Sequence, residues 1–232
     1  MTSNAIVPEN NLRTHESYEQ ITPVRGCKVS LDNIKEVYSE LSRINFEHGQ
    51  REIANLVKSP DTTDEQWEAH TQNLLENAFR LAISITGEGD QRVYSFDIEI
   101  FSSDNLPRQI ERIYLDNIVA YKPYANQLEP ANKISVMLDF DKPTLLDPHL
   151  VVSAATPNES KVHINGTDIS FFRAAQQVID SKLTNRGTWY GIIHKNFAYD
   201  LGLWLVALPF ALFFFVLLYG QIFPRRWRSR LI

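Results

Sequence analysis

Ala78-Phe-Arg-Leu-Ala-Ile-Ser-Ile-Thr-Gly-Glu-Gly-Asp-Gln-Arg-Val-Tyr-Ser-Phe-Asp-Ile-Glu-Ile100 is the stretch that decides the fold. Phe79, Leu81, Ile83 and Ile85 alternate with Arg80, Ala82 and Ser84; Tyr94, Phe96, Ile98 and Ile100 alternate with Ser95, Asp97 and Glu99. A period of two sends successive side chains to opposite faces of a strand. Gly87-Glu-Gly-Asp90 between the runs is a turn, so the stretch predicts a β-hairpin with one buried face.

Working downstream, further strands are expected at Arg112–Ala120, Lys133–Phe140, His149–Ser153 and Lys161–Asn165. Asn165-Gly166 makes a sharp turn. Thr167 or Asp168 then caps a helix whose apolar side is Ile169, Phe171, Phe172, Ala175, Val178, Ile179 and Leu183, and Asn185-Arg-Gly187 ends it. Upstream, Ile34, Val37, Tyr38, Leu41 and Ile44 recur at helical spacing behind Ser30, a plausible N-cap. The pattern weakens at Glu47-His48-Gly49, resumes at Ile53, Leu56 and Val57, and breaks at Lys58-Ser-Pro-Asp61. Thr62 or Thr63 caps a second helix with Asp64 and Glu65 in its first turn, where the helix dipole favours anions. These two helices are expected to cover the sheet, with an interaction hairpin as the alternative.

Strand after strand with short connections, and helices grouped at the ends, predict α+β rather than alternating α/β. The expected fold is a mainly antiparallel sheet of about five or six strands, with N-terminal helices, one C-terminal helix and then a transmembrane helix. The expected organisation is a flexible tail over 1–28, a helical segment over 29–77, the sheet domain over 78–184 and a juxtamembrane segment over 185–200. A membrane helix over 201–223 and a basic tail over 224–232 complete it.

The membrane expectation rests on Leu201 to Phe223, 23 residues without a charge. As one helix they would extend about 34 Å, against a hydrocarbon core of about 30 Å. Trp189, Tyr199, Trp204, Tyr219 and Trp227 sit near its ends, where amphipathic rings favour the headgroup level, and Arg225 and Arg226 follow it. Arg225, Arg226, Arg228 and Arg230 favour a cytoplasmic tail, while Lys182, Arg186 and Lys195 compete from the other side. The first 25 residues lack the apolar stretch of a secretory signal, which places the large domain in the cytoplasm. Pro209 allows a second arrangement, a re-entrant hairpin with both flanks on one side. Ala207 and Ala211 have the small-residue spacing that permits close helix contact, so a homo-oligomer is open.

The net charge is -5, but the four arginines of the tail mask an acidic body: the first 200 residues hold 19 basic and 28 acidic groups. Affinity for phosphate backbones comes mainly from Lys and Arg, so nucleic acid is not an expected partner. The expected partners are the lipid bilayer and a protein of unknown identity. Cys27 is the only cysteine, so no internal disulfide forms; this fits a reducing compartment.

For chemistry, the strongest candidate is a set of four carboxylates. Asp97 and Glu99 occupy the polar face of one expected strand, Asp139 and Asp141 that of another. Brought together they would suit Mg²⁺ or Ca²⁺, which need several oxygen ligands, or a basic partner; an ordinary solvated sheet face is the blander reading. The six histidines lack metal-ligand spacing, and no phosphate-loop, dinucleotide or nucleophile-elbow motif occurs. No cofactor and no catalytic residue is therefore assigned. The readings that remain are a membrane-tethered, non-enzymatic interaction or regulatory module, a self-associating effector that perturbs the bilayer, and a membrane-bound metal-dependent hydrolase using the four carboxylates.

Overall fold

The computed structural model describes residues 16–24, 27, 29–140, 159–186, 205 and 207–222. The chain divides into two units, Met1–Lys142 with Asn158–Gly187, and Pro143–Pro157 with Thr188–Ile232.

In the first unit, β1 (Tyr18–Pro23), β2 (Ala82–Gly87), β3 (Arg92–Ser95), β4 (Ile110–Asp116), β5 (Lys133–Asp139) and β6 (Lys161–Gly166) form one sheet. Its order is β1-β6-β5-β4-β2-β3 and every neighbouring pair is antiparallel. The helices are α1 (Leu31–Ala54), α2 (Asp64–Asn77), the short α3 (Ile118–Tyr121) and α4 (Ile169–Lys182). The α+β expectation and the antiparallel sheet hold.

The register explains the core. Ile83 pairs with Leu115, Ile85 with Ile113, Ile113 with Leu138, Leu115 with Val136, Val136 with Val162 and Ile134 with Ile164. Cross-strand partners point the same way, so these residues form one continuous apolar face. Val37, Leu41 and Ile44 of α1 and Phe171, Ala175 and Ile179 of α4 pack against it. Leu74, Ala78, Phe79, Tyr121 and Ala125 make a second cluster.

Several expectations are corrected. Tyr18–Pro23, read as tail, is an edge strand on β6. α1 runs unbroken through His48 and Gly49, because Gly49 lies directly under Phe79: a Cβ there would stand 2.3 Å from the Phe79 Cγ. Strand β2 begins only at Ala82, since α2 runs to Asn77. β3 stops at Ser95, and Ile98–Ser102 is a 3₁₀ turn that folds Ile100 and Phe101 into the core, so Asp97 and Glu99 are not on a strand. The run expected to reach Ala120 ends at Asp116, whose carboxylate accepts the N–H of Ile118 and Val119 and starts α3. The expected strand His149–Ser153 lies outside the described residues.

In the second unit α5 covers Leu208–Ile222. Its 15 residues extend about 22 Å, short of the roughly 30 Å of a bilayer core. Among the described residues no helix is long and apolar enough to cross a membrane, and the expected span Leu201–Phe223 lies partly outside those residues. Leu205 and Ala207, just before α5, are π-helical, so Pro209 lies within helical backbone.

Candidate functional site

The three described carboxylates of the acidic set do not converge. Asp97 follows β3 and is bound to Arg80, whose guanidinium also donates to the Phe96 carbonyl and lies 5.3 Å from the Phe96 ring centre. Glu99 sits in the 3₁₀ turn, exposed. Asp139 closes β5, with β4 and β2 between it and β3; its carboxylate lies 3.9 Å from Arg112. Strands are spaced about 4.8 Å apart, so three strand steps put Asp139 on the order of 14 Å from the exit of β3, where Asp97 follows. Asp141 lies outside the described residues, as do Trp189, Tyr199, Trp204, Arg225, Arg226 and Trp227; Tyr219 falls within α5, but its side chain is not among those described. Among the described residues no group of three His, Cys, Asp or Glu side chains is arranged to hold a metal ion.

Asp97 does belong to a cleft of about 420 Å³ between α1 and the exit of β3. Phe46, Phe79 and Phe96 give it apolar walls, and Arg43 and Arg80 give it charge. Tyr38 closes its inner end: its hydroxyl lies 3.0 Å from the Leu81 carbonyl and 2.6 Å from that of Phe96. Burial pushes the Tyr38 phenol up to about 12, so it stays a hydrogen-bond donor and not a base near neutrality. Arg43 is matched by Glu40 and Glu47, and Arg80 by Asp97. The cleft therefore offers apolar contact area rather than a reactive group.

Sequence reasoning missed two other features. The first is a buried polar chain at one end of the sheet. Asn45 donates to the Phe79 carbonyl, and Asn117 donates to Asn45 and to the Asn132 carbonyl while accepting the N–H of Ile134. Asn132 accepts the N–H of Asp168, and its amide nitrogen is 3.0 Å from His48 Nε2. His48 stands between two carboxylates, with Glu52 2.8 Å from Nε2 and Asp168 3.5 Å from Nδ1. Arg51 reaches Asp168 at 3.3 Å. Burial alone would raise the Asp168 carboxyl. The N–H groups of Ser170 and Phe171, with Arg51 and His48, outweigh it and hold it below the usual range. Gly166 fits against this chain, since a Cβ there would lie 2.3 Å from Asn132 Oδ1. The members lie far apart in sequence, on α1, on β6 with the start of α4, and around α3 and β5, so no local pattern announces them.

The second is the face of the sheet opposite α1 and α4. Tyr94 pairs with Ser84, Ser84 with Tyr114, Tyr114 with Met137 and Met137 with Lys161, so all five lie in one row across the sheet. Tyr94, assigned from the sequence to the buried face, is on this open face and 46% exposed. The reason is register: Val93 pairs with Ile85 and so takes the inward position. The neighbouring row is Arg92, Thr86, Arg112 and Asp139. Arg92 Nε donates to Ser84 Oγ at 2.6 Å, which leaves Ser84 only 4% exposed. Burial raises the phenols of Tyr94 and Tyr114, and the nearby Asp116 adds to the shift. The open face is thus aromatic and basic, not acidic.

Compared with known proteins, the chain matches no family model, no curated relative and no solved structure.

Proposed function

We propose that this chain is a membrane-anchored, non-enzymatic interaction module, with its domain in the cytoplasm and its C-terminal apolar segment in the bilayer. One observation carries the reading: α5 is apolar on every side, and its described side chains from Leu208 to Leu218 are left largely exposed. A helix without a polar stripe has no stable place in water and calls for lipid or an apolar partner around it. Both a crossing and an insertion from one side place this helix in the bilayer, and the two differ in where the C-terminus ends.

The partner contact we assign is the acidic outer side of α1 and α2. α2 carries Asp64, Glu65, Glu68 and Glu76 with no basic residue, which suits a basic protein surface. Tagged chain, gently solubilised from membranes, should recover a stoichiometric partner. Glu65→Lys with Glu68→Lys should release it without changing membrane association. Repeated recovery of the chain alone, or a partner indifferent to the charge reversal, would overturn the assignment. Protease treatment of intact vesicles reads the topology: a C-terminal tag cleaved together with the domain supports insertion from one side, and a protected tag supports a crossing.

A further inference from the structure

We infer that the open sheet face is the surface the domain turns toward an anionic lipid bilayer, an inference that rests on the membrane-anchored reading and gives it an orientation. The two layers of the domain differ in charge. α1, α2 and α4 hold ten carboxylates and five basic side chains. The open face carries Arg92, Arg112, Lys133 and Lys161 against Glu19 and Asp139. Its third carboxylate, Asp116, is 3% exposed and turned to the backbone N–H groups of α3.

The cations of this face are only partly matched. Lys133 is held by Glu129 at 3.2 Å, and Arg112 reaches Asp139 at 3.9 Å. Arg92 is bonded to a neutral hydroxyl and keeps its full charge. Among the described residues no carboxylate forms an ion pair with Arg92 or Lys161. Between and beside these cations stand Tyr94, Tyr114, Met137 and, on the edge strand, Ile21, which is 60% exposed. Amphipathic rings and long basic side chains are the groups that settle at a headgroup layer.

An anionic leaflet attracts each basic group near its surface and repels each acidic one, within about a Debye length of roughly 8 Å. A domain whose two layers carry opposite charge therefore turns its sheet to the lipid and its helices away. An anchor makes the contact intramolecular, so a weak surface suffices. The same orientation leaves the acidic sides of α1 and α2 free for a basic partner. Lipid is the occupant chosen because the anchor brings it within reach, and because the acidic helical layer disfavours a long polyanion that would wrap the domain.

The test uses the full chain in lipid nanodiscs, one set of phosphatidylcholine and one with added phosphatidylglycerol. Amine acylation followed by mass spectrometry reads Lys161 on the open face and Lys35 on α1. Lys161 acylation should fall about thirtyfold in the anionic discs, as two unbalanced charges at about 1 kcal/mol each would give, and should recover at high salt. Lys35 should not change. Arg92→Gln with Arg112→Gln should weaken the protection in the same discs. Equal Lys161 acylation in both disc types, or protection of Lys35 together with Lys161, overturns the inference even if the double variant does not fold, because the wild-type chain alone gives that comparison. Failure of the chain to enter either disc is a separate result, and it overturns the anchor reading along with this one.

Discussion

Replacing Gly49 by Ala sets two opposite effects against each other, and the packing of α1 decides the sign. In an exposed helix interior the change would stabilise by roughly 0.5–1 kcal/mol, because Gly loses more backbone freedom on folding. Here the new Cβ would meet Phe79 at 2.3 Å from Cγ, 2.6 Å from Cδ2 and 2.7 Å from Cβ. The Phe79 Cβ is fixed by the backbone, so no rotamer change clears that contact, and swinging the ring off Cγ and Cδ2 would disturb its packing. Phe79 is itself buried against Tyr121, with ring centres 5.7 Å apart. Overpacking of this kind costs about 1–3 kcal/mol. The net effect is a loss of about 1–2 kcal/mol, which lowers Tm by roughly 3–8 °C for a chain of this size. Thermal and urea unfolding by circular dichroism would measure it, with an unchanged urea slope showing that stability alone moved. The same substitution in a Phe79→Ala background should cost clearly less, since the contacts with Cγ and Cδ2 are gone and only the Cβ contact at 2.7 Å remains. Equal destabilisation in both backgrounds would refute the reasoning.

Asn117→Ala removes a side chain that makes three buried hydrogen bonds and leaves the N–H of Ile134 without its partner; a loss of about 3 kcal/mol is expected in urea unfolding, and a change below about 1 kcal/mol would contradict it. Asp168 has its carboxyl held below the ordinary 3.8, so its ionised form is favoured by folding: the contribution is complete above that value and is lost as pH falls through the folded one. Asp168→Asn should therefore be less stable than the wild type near neutrality, and the gap should narrow as pH falls below the ordinary carboxylate value. A gap that persists in acid would mean that the carboxylate acts through shape alone.

Much of the architecture was legible in the sequence. The alternation in β5 and β6 and the spacing in α1 and α4 are local signals, each matched to one buried face. What escaped depends on partners distant in sequence. Tyr18–Pro23 has no strong alternation of its own and becomes a strand because β6 offers an edge. The run from Tyr94 to Ile100 keeps a period of two past the end of β3, but Phe101 and Ile100 reach the core by a 3₁₀ turn instead. That one change took Asp97 and Glu99 off the strand, and with them the acidic set. The aromatic and basic face could have been noticed from Arg92-Val-Tyr94 and Arg112-Ile-Tyr114, two identical basic–apolar–tyrosine triplets. Only the register of β3, β2 and β4 shows that they align on one side.

The account stands on the claim that the apolar C-terminal segment holds this chain in a membrane. Alkaline carbonate extraction of membranes from cells expressing the full chain tests it most directly. The chain should remain in the pellet, and a version in which Phe213, Phe214 and Phe215 are replaced by Asp should move to the supernatant with its domain still folded. Release of the unaltered chain by carbonate would contradict the claim, and the orientation inferred for the sheet would fall with it.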